Sequence, residues 1–347
     1  SIVVLNFFLG AKMKNIYIII ISLFGLTLIS CAKINSAMDD VNKKYDEFSK
    51  ESDEPEKTSA STEKASIEKV SSLGFLFVSV GEKGTILTSP KGNKWTKRTS
   101  GSKSKLRAVA YGKDKLVVVG FSGTILTSSD GIKWTKSKSG TKNNLGSVTY
   151  GKNIFVVVGN SGTILTSSDG IKWNKRKSGT KQSLYGVAYG NNTFVTVGKK
   201  GTIYSSSDGK KWTRRKSRTS VEFNEVIYSN KTFLAFGFKG IIRTSLNGKK
   251  WTKIKSGTPK GLSGGAYGNN TFMAIGYKGA VLSSSDAKTW IKRKSGTKKN
   301  LRGIAYGNGQ FVIVGNVGTI LTSPDPVTWT KRNSGTSRHL RRVFTID

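Results

Sequence analysis

Hydrophobic and polar positions repeat along this chain with a period of 39 residues, from about residue 73 to the C terminus. In each period, four short runs of β-branched or aromatic residues alternate with clusters of Gly, Asn, Asp and Ser. Such runs predict β-strands joined by tight turns, and no part of the repeat has helical spacing. The third copy has the whole pattern, from Leu145 through the apolar run 155–158 to Trp173.

The tryptophans mark this period, because each of the seven lies 39 residues after the one before it. They are Trp95, Trp134, Trp173, Trp212, Trp251, Trp290 and Trp329. Four strands in a unit of about 40 residues are typical of a β-propeller blade, which buries its apolar faces against neighbouring blades. The sequence therefore predicts an all-β fold, a seven-bladed β-propeller with four-stranded blades.

The two ends of the repeat region predict how the ring closes. The segment 340–344 stands where an eighth repeat would begin, 39 residues after Leu301, whereas the first repeat has only a weak innermost strand around Ile67 and Val70. An open ring would leave two unpaired strand edges. We therefore predict that the C-terminal strand closes the first blade.

The turn before most tryptophans carries a short motif, as in Ser128, Asp130, Gly131 and Trp134. The motif resembles the Asp-box, or bacterial neuraminidase repeat, except that Gly directly follows Asp. The motif aspartates are Asp130, Asp169, Asp208, Asp286 and Asp325. We expect them to be structural, because an Asp carboxylate can accept hydrogen bonds from the backbone of its own turn.

The resemblance covers about residues 73–347 and implies the propeller fold. Two repeats depart from it, with Lys91 and Asn247 in place of the aspartate. The chain is more similar to propellers of the photosystem II assembly factor type than to sialidases. This resemblance implies a possible role as a scaffold that docks a membrane protein.

The first 30 residues predict an export signal preceded by upstream sequence. We place the natural start at Met13, which is followed by Lys14 and the apolar run 16–28. A short apolar core with a positive flank is typical of a secretory signal. Residues 28–31 resemble the bacterial lipobox, which implies cleavage before Cys31 and lipid attachment to its thiol; an ordinary signal peptide and an uncleaved anchor are the alternatives.

The predicted location is the bacterial cell envelope, at the outer membrane or on the periplasmic side. Cys31 is the only cysteine, so the chain can form no intramolecular disulfide. Residues 31–72 are rich in Ser, Lys, Glu and Asp and predict a flexible linker. The propeller is then residues 73–347, which we expect to be monomeric and tethered to a membrane by its lipid.

The formal net charge of +38 lies almost wholly in the predicted propeller. Part of it repeats on the outer strand of each blade, two residues after the tryptophan. These residues are Lys97, Lys136, Lys175, Arg214, Lys253, Lys292 and Lys331. Lysine on an exposed edge strand prevents edge-to-edge aggregation, so these charges have a structural explanation beside any functional one.

Other basic residues differ between repeats, and they predict an anion-binding sector. Arg107, Arg302 and Arg341 occupy one repeat position in three blades that become neighbours when the ring closes. We expect further candidates around them, namely Arg342, Arg338, Lys103, Lys298 and Lys299. Guanidinium groups suit carboxylate, sulfate or phosphate oxygens, although scattered solvated charge explains the pattern equally. The fifth blade carries Glu222 and Glu225, which predicts a mildly acidic sector across the ring.

Little in the sequence indicates catalysis, and we predict no catalytic residues, cofactor or metal. Glycoside hydrolysis needs positioned carboxylates, and the propeller has few acids outside the motif turns. If there were activity, Glu225 with Tyr185 would be the pair to test. One histidine, His339, and one cysteine make no metal cluster.

The sequence therefore predicts a non-catalytic binding module whose basic propeller engages an anionic glycan, lipopolysaccharide phosphates or an acidic protein. The assembly-factor-like scaffold is the first alternative, and a glycan-cleaving, sialidase-like enzyme is the second. The predicted export argues against a nucleic-acid partner, although the charge alone would permit one.

Overall fold

The computed structural model describes residue 74 and residues 77–346, and this part of the chain is a ring of seven four-stranded antiparallel sheets. The strands in chain order are β1 (Phe77–Gly81), β2 (Ile86–Ser89), β3 (Thr96–Arg98), β4 (Leu106–Gly112), β5 (Lys115–Gly120), β6 (Ile125–Ser128), β7 (Thr135–Ser137), β8 (Leu145–Gly151), β9 (Ile154–Gly159), β10 (Ile164–Ser167), β11 (Asn174–Arg176), β12 (Leu184–Gly190), β13 (Thr193–Gly198), β14 (Ile203–Ser206), β15 (Thr213–Arg214), β16 (Phe223–Ser229), β17 (Thr232–Gly237), β18 (Ile242–Ser245), β19 (Thr252–Ile254), β20 (Leu262–Gly268), β21 (Thr271–Gly276), β22 (Val281–Ser284), β23 (Ile291–Arg293), β24 (Leu301–Gly307), β25 (Gln310–Gly315), β26 (Ile320–Ser323), β27 (Thr330–Arg332) and β28 (Leu340–Thr345).

Five single-turn 3-10 segments join the second and third strands of their blades. They are Glu82–Gly84, Asn160–Gly162, Lys199–Gly201, Phe238–Gly240 and Tyr277–Gly279. Within the described residues, no helix is long and apolar enough to span a bilayer. The predicted signal peptide, Cys31 and the linker lie outside the described residues, as does Asp347.

The ring closes as the sequence predicts. Blade 1 has the order β28-β1-β2-β3, so the last strand of the chain is the innermost strand of the first blade. Its register places Val78 opposite Phe344 and Ser79 opposite Val343. Blades 2 to 7 follow in chain order, and β28 packs between the innermost strands of blades 7 and 2. The prediction of seven blades with C-terminal closure is confirmed.

Seven apolar clusters hold the ring together, and each lies between two neighbouring blades. The second and third strands supply most of these residues because they are buried on both faces, as in β9 and β10. Burial on both faces explains why the second strands are continuous apolar runs in the sequence rather than alternating ones, whereas most of the third strands pair two apolar residues with small hydroxyl residues, as in β10.

The repeated Tyr-Gly pair is explained by contact between blades. The ring of Tyr150, in blade 3, lies against Gly112 in blade 2, where a Cβ atom would collide with it. Tyr189 lies against Gly151 in the same way, one blade further on. Each of these glycines therefore makes room for the tyrosine of the next repeat.

The tryptophans fasten the motif turns to the cores. Trp173 packs against the cluster between blades 2 and 3, and its Nε1 donates to the carbonyl of Gly170 at 3.1 Å. Six of the seven tryptophans make this bond. The exception is Trp329, where Pro326 replaces the turn glycine and the buried Nε1 has no partner among the described residues.

Candidate functional site

A cavity of about 250 Å³ lies on the ring axis, on the face that carries the turns between second and third strands. Most of its wall comes from two successive positions of the innermost strands: all seven strands contribute the residue at the first position, and four contribute the residue at the second. We call the first set the outer ring: Arg341, Arg107, Gly146, Tyr185, Asn224, Ser263 and Arg302, in blade order. We call the second set the inner ring: Arg342, Ala108, Ser147, Gly186, Glu225, Gly264 and Gly303.

A β-bulge in every innermost strand creates the outer ring. In blade 2, Leu106 pairs with Gly120 and Ala108 pairs with Val119, so Arg107 has no partner in the ladder. The same register shift occurs in all seven blades. A bulged residue is released from the alternation of the strand, and its side chain can be directed elsewhere.

Each outer-ring arginine contacts the first residue of the turn between the second and third strands of its own blade. The chemical type of this contacted residue is different in each of the three blades. In blade 1 it is Glu82, which forms an ion pair with Arg341 and a second one with Lys105 at 3.1 Å. Burial opposes ionisation of Glu82, but these two partners outweigh burial and lower its pKa from 4.5 to about 2. The charge of Arg341 is therefore compensated.

Arg107 contacts an aromatic ring at the turn position where Arg341 contacts a carboxylate. Its guanidinium carbon lies 6.0 Å from the centroid of Phe121, and Lys105 Nζ lies 5.0 Å from the same ring. Burial lowers the pKa of Arg107, and the positive charges of Arg341 and Arg302 lower it further, while the negative charge of Glu225 opposes this shift without reversing it. Like charges thus converge at this point of the cavity wall.

Arg302 contacts a neutral amide at the turn position where Arg341 contacts a carboxylate. Its Nε donates to Asn316 Oδ1 at 3.1 Å, and its guanidinium carbon lies 4.7 Å from the centroid of Tyr277. Tyr277 also packs against Phe238, with ring centroids 5.6 Å apart, and Phe238 is 39% exposed. An aromatic surface therefore adjoins the arginines at the cavity mouth.

The inner ring holds an ion pair that crosses the channel. Arg342 of blade 1 and Glu225 of blade 5 form a bidentate pair in which Nη2 lies 2.6 Å from Oε1. The glycines of this ring leave the necessary space: a Cβ atom on Gly264 would lie 3.3 Å from Glu225 Cγ, and one on Gly303 would lie 2.8 Å from Arg342 Cα. Burial alone would lower the pKa of Arg342, but the charge of Glu225 and its hydrogen bonds outweigh burial, so this pKa is raised.

Three polar atoms in the cavity wall have no hydrogen-bond partner in the described structure: Ser147 Oγ, Ser263 Oγ and Arg341 Nε. Ser147 is 2% exposed. Buried polar groups in proteins nearly always have a partner, so three such atoms in one cavity indicate that it accommodates polar ligand groups or water.

Four of the eight predicted anion-binding residues meet at this cavity: Arg107, Arg302, Arg341 and Arg342. The other four, Lys103, Lys298, Lys299 and Arg338, are exposed and do not line it. The basic and acidic sectors predicted to lie apart are joined by the pair of Arg342 with Glu225.

The role of Glu82 as the counter-ion of Arg341 is absent from the predictions made on the sequence. The signal was available once closure is assumed, because β28 pairs with β1 and brings Leu340 opposite Gly81. Because the two strands are antiparallel, the residues that follow Leu340 and Gly81 run in opposite directions, so the contact of Arg341 with Glu82 also depends on the bulge that leaves Arg341 out of the ladder.

The two residues singled out for possible catalysis both line the cavity. The Glu225 carboxylate is bound on both oxygens by Arg342. Burial and the nearby Glu222 raise the pKa of the Tyr185 hydroxyl, which favours its neutral form. In the part of the chain that the structure describes, no group of three His, Cys, Asp or Glu side chains could hold a metal ion.

The motif aspartates lie away from the cavity and bond within their own turns. Asp169 Oδ1 accepts from the backbone N–H of Ile171 at 2.8 Å and of Lys172 at 2.9 Å. These bonds lower the pKa of Asp169 from 3.8 to about 2. Asp130, Asp208, Asp286 and Asp325 accept the same pair of backbone bonds.

The sequence matches no protein-family model and no curated protein. The fold is similar to that of solved propellers. YCF48 bound to a D1 peptide is 20% identical with a TM-score of 0.59, over 72% of this chain and 87% of that one. YCF48 from Cyanidioschyzon merolae is 17% identical with a TM-score of 0.55, over 68% and 87%.

Virginiamycin B lyase from Staphylococcus aureus is 11% identical with a TM-score of 0.57, over 70% of this chain and 92% of that one. A binding protein and a lyase thus share this architecture, so likeness of fold does not select a function. What these comparisons and the blade topology establish together is the fold class of this chain, a seven-bladed β-propeller.

Proposed function

We propose that this protein is a non-catalytic binding module that holds an anionic group of its partner at the mouth of the axial cavity. One observation carries the proposal: Arg107 and Arg302 line the cavity opposite an aromatic ring and an amide, not opposite a carboxylate. Their charges are uncompensated by those contacts. A ligand carboxylate between them would supply the missing counter-charge through charge-assisted hydrogen bonds.

An acidic protein segment is the first candidate partner. A cavity of about 250 Å³ accommodates one or two side chains or a chain end, rather than a folded surface. The fold resembles that of YCF48, which has been solved with a D1 peptide bound. This likeness is one of fold, and we extend peptide binding to the present chain as part of the proposal.

An acidic glycan is the second candidate, and the aromatic pair at the mouth favours it. The rings of Phe238 and Tyr277, inclined at 34° to each other, present an aromatic surface next to Arg302. Sugar rings stack their C–H faces on such surfaces, and a uronic acid would place its carboxylate beside the guanidinium. Binding of the glycan without cleavage distinguishes this candidate from an enzyme.

The decisive experiment compares two double variants that remove the same charge. Arg107→Gln with Arg302→Gln removes the uncompensated arginines, while Lys298→Gln with Lys299→Gln removes two exposed charges outside the cavity. We expect the arginine variant to lose affinity for acidic peptides or oligouronates by about a hundredfold, since each charged hydrogen bond contributes about 1.5 kcal/mol or more. The lysine variant should change affinity by less than about threefold, because interactions of solvent-exposed charges contribute little.

Equal losses in the two variants would show that binding follows total charge rather than this site. Titrations at two ionic strengths separate the contributions further, because exposed charges are screened by salt more than partly buried ones. Product analysis after prolonged incubation with the glycan tests the absence of catalysis. Released sugar that disappears in Glu225→Gln would instead support an enzyme.

We also propose that the propeller is tethered to an envelope membrane through lipid on Cys31. The support is the sequence pattern of residues 13–31 alone. Metabolic labelling with a fatty acid, followed by membrane fractionation of the wild type and of Cys31→Ser, tests this proposal. Unlabelled wild-type protein would contradict it without affecting the arginine site.

A further inference from the structure

A second basic cavity, of about 570 Å³, lies at the rim of blade 4, and we call it the rim groove. Lys200 forms one side of it, and the segment 214–219 forms the other. Five of the eight lining residues are lysine or arginine, and none is acidic. The groove shares no residue with the axial cavity.

Arg218 marks this rim as different from the other six. It occupies a repeat position at which the other blades have glycine: Gly101, Gly140, Gly179, Gly257, Gly296 and Gly335. All seven residues have a positive φ, which is 55° at Arg218. An arginine is strained in this left-handed region, whereas a glycine is not. Blade 4 therefore has a charged residue at this position at the expense of backbone strain.

A second departure from the repeat supports the same loop from beneath. Arg243 stands in β18 where five repeats have leucine and one has Tyr204. It is 5% exposed, and its Nε donates to the carbonyl of Ser217 at 3.1 Å. A buried arginine therefore holds the backbone immediately before Arg218.

The edge strand of this blade is shortened as well. β15 spans only Thr213–Arg214, whereas the edge strands of the other blades have three residues. Arg215 still donates its N–H to Ile203 O, and its Nε donates to Ser205 Oγ at 2.7 Å, as the equivalent arginines of four other blades do to the hydroxyl at the same position. Departures from the repeat thus coincide at one groove: Arg218 lines it, and Arg243 holds the backbone of Ser217, which also lines it.

We propose that the rim groove binds sulfate or phosphate esters carried on a glycan. Cationic side chains reach the groove from the turn of Lys200, from the edge strand at Arg214 and from the link at Arg218. A tetrahedral oxyanion offers acceptor oxygens in all these directions and up to two negative charges, whereas a carboxylate is planar and carries one. Lys216 and Arg214 continue the basic surface along the edge, which suits a polymer.

Backbone strain is often retained at functional sites because function depends on the strained residue. The strain at Arg218 therefore suggests a test in which the strained residue is replaced by glycine. Arg218→Gly restores the residue of the other six blades, so we expect its melting temperature to equal or exceed that of the wild type. Its affinity for a sulfated or phosphorylated oligosaccharide should nevertheless fall about tenfold, from the loss of one charged hydrogen-bonding group.

A matched pair of lysines at the same repeat position controls for charge. Lys216→Ser alters the groove, and Lys177→Ser makes the same change in blade 3. We expect weaker binding in the first and less than a twofold change in the second, as for an isolated surface charge. Unchanged affinity in Arg218→Gly, or equal losses in the two serine variants, would overturn the proposal.

The probes also identify the ligand chemistry and separate this site from the axial one. Sulfated and phosphorylated oligosaccharides distinguish the two esters, and polyglutamate of similar length tests a carboxylate polymer. Equal, Arg218-dependent binding of polyglutamate would refute a preference for tetrahedral anions. Loss of sulfated-glycan binding in the Arg107 and Arg302 double variant would assign that binding to the axial cavity instead.

Discussion

Arg342 and Glu225 form an ion pair across the axial channel, although 117 residues separate them in sequence. Arg342 belongs to the strand that closes blade 1, and Glu225 belongs to blade 5. Their contact closes part of the channel below the outer-ring arginines and gives the cavity a floor. It also fixes the closing strand to the opposite side of the ring.

This pair should stabilise the closed ring through its two partners together. Removing one partner leaves a buried charge uncompensated, so we expect Glu225→Gln to lower the free energy of unfolding by about 3 kcal/mol. The double variant Glu225→Gln with Arg342→Gln should recover most of that loss. Chemical denaturation of the wild type, both single variants and the double variant measures the coupling, and additive losses would show that the two side chains do not interact.

The tryptophan hydrogen bond can be tested with an internal control. Trp134 Nε1 donates to Gly131 O at 3.2 Å, whereas the buried Trp329 Nε1 has no partner among the described residues. Trp134→Phe should therefore destabilise the protein by about 1 kcal/mol more than Trp329→Phe does. This difference is the usual net contribution of one hydrogen bond to stability. Both variants lose similar ring area, so equal losses in thermal unfolding would indicate that only packing matters.

Acid should unfold this propeller through its structural carboxylates. The pKa of Asp169 is lowered from 3.8 to about 2, and that of Glu82 from 4.5 to about 2. The unfolded chain then binds more protons than the folded one in this range, so stability is complete above about pH 4.5 and falls as pH drops towards 2. Unfolding followed at several pH values measures this slope.

Asp169→Asn provides the matched variant for the acid response. Asn247 already occupies the equivalent position in the fifth repeat, where its Oδ1 accepts from Lys249 N at 2.9 Å and from Lys250 N at 3.3 Å. The amide should keep the turn while removing its titration, so the variant should lose less stability than the wild type between pH 4.5 and 2. An unchanged slope would mean that Asp169 does not contribute to it.

The buried Arg243 should lower the free energy of unfolding, although its hydrogen bond holds the loop at Ser217 in place. We expect Arg243→Leu, which restores the residue of five other repeats, to increase the free energy of unfolding by about 1 to 3 kcal/mol, because an apolar side chain avoids the desolvation of a buried charge. Arg243→Ala, by contrast, should leave a cavity and destabilise. A leucine variant that melts below the wild type would show that the bond to Ser217 O outweighs desolvation.

The blade count, the strand order and the closing strand could all be predicted from the sequence. Each depends on local periodicity or on counting: the 39-residue spacing fixes the unit, and the extra segment 340–344 is a strand without a sheet. The ring positions of Arg107, Arg302 and Arg341 followed from the same arithmetic, because neighbours in a closed ring are known once the number of blades is known.

Only the tertiary structure decided which arginines contact a carboxylate directly. The three outer-ring arginines occupy one repeat position, yet Arg341 contacts Glu82, Arg107 contacts Phe121 and Arg302 contacts Asn316. Likewise, the pair of Arg342 with Glu225 depends on how far two side chains reach across a channel lined by glycines. Periodicity specifies the order of residues around the axis, but side-chain length, bulge geometry and the distance across the ring determine which of them touch.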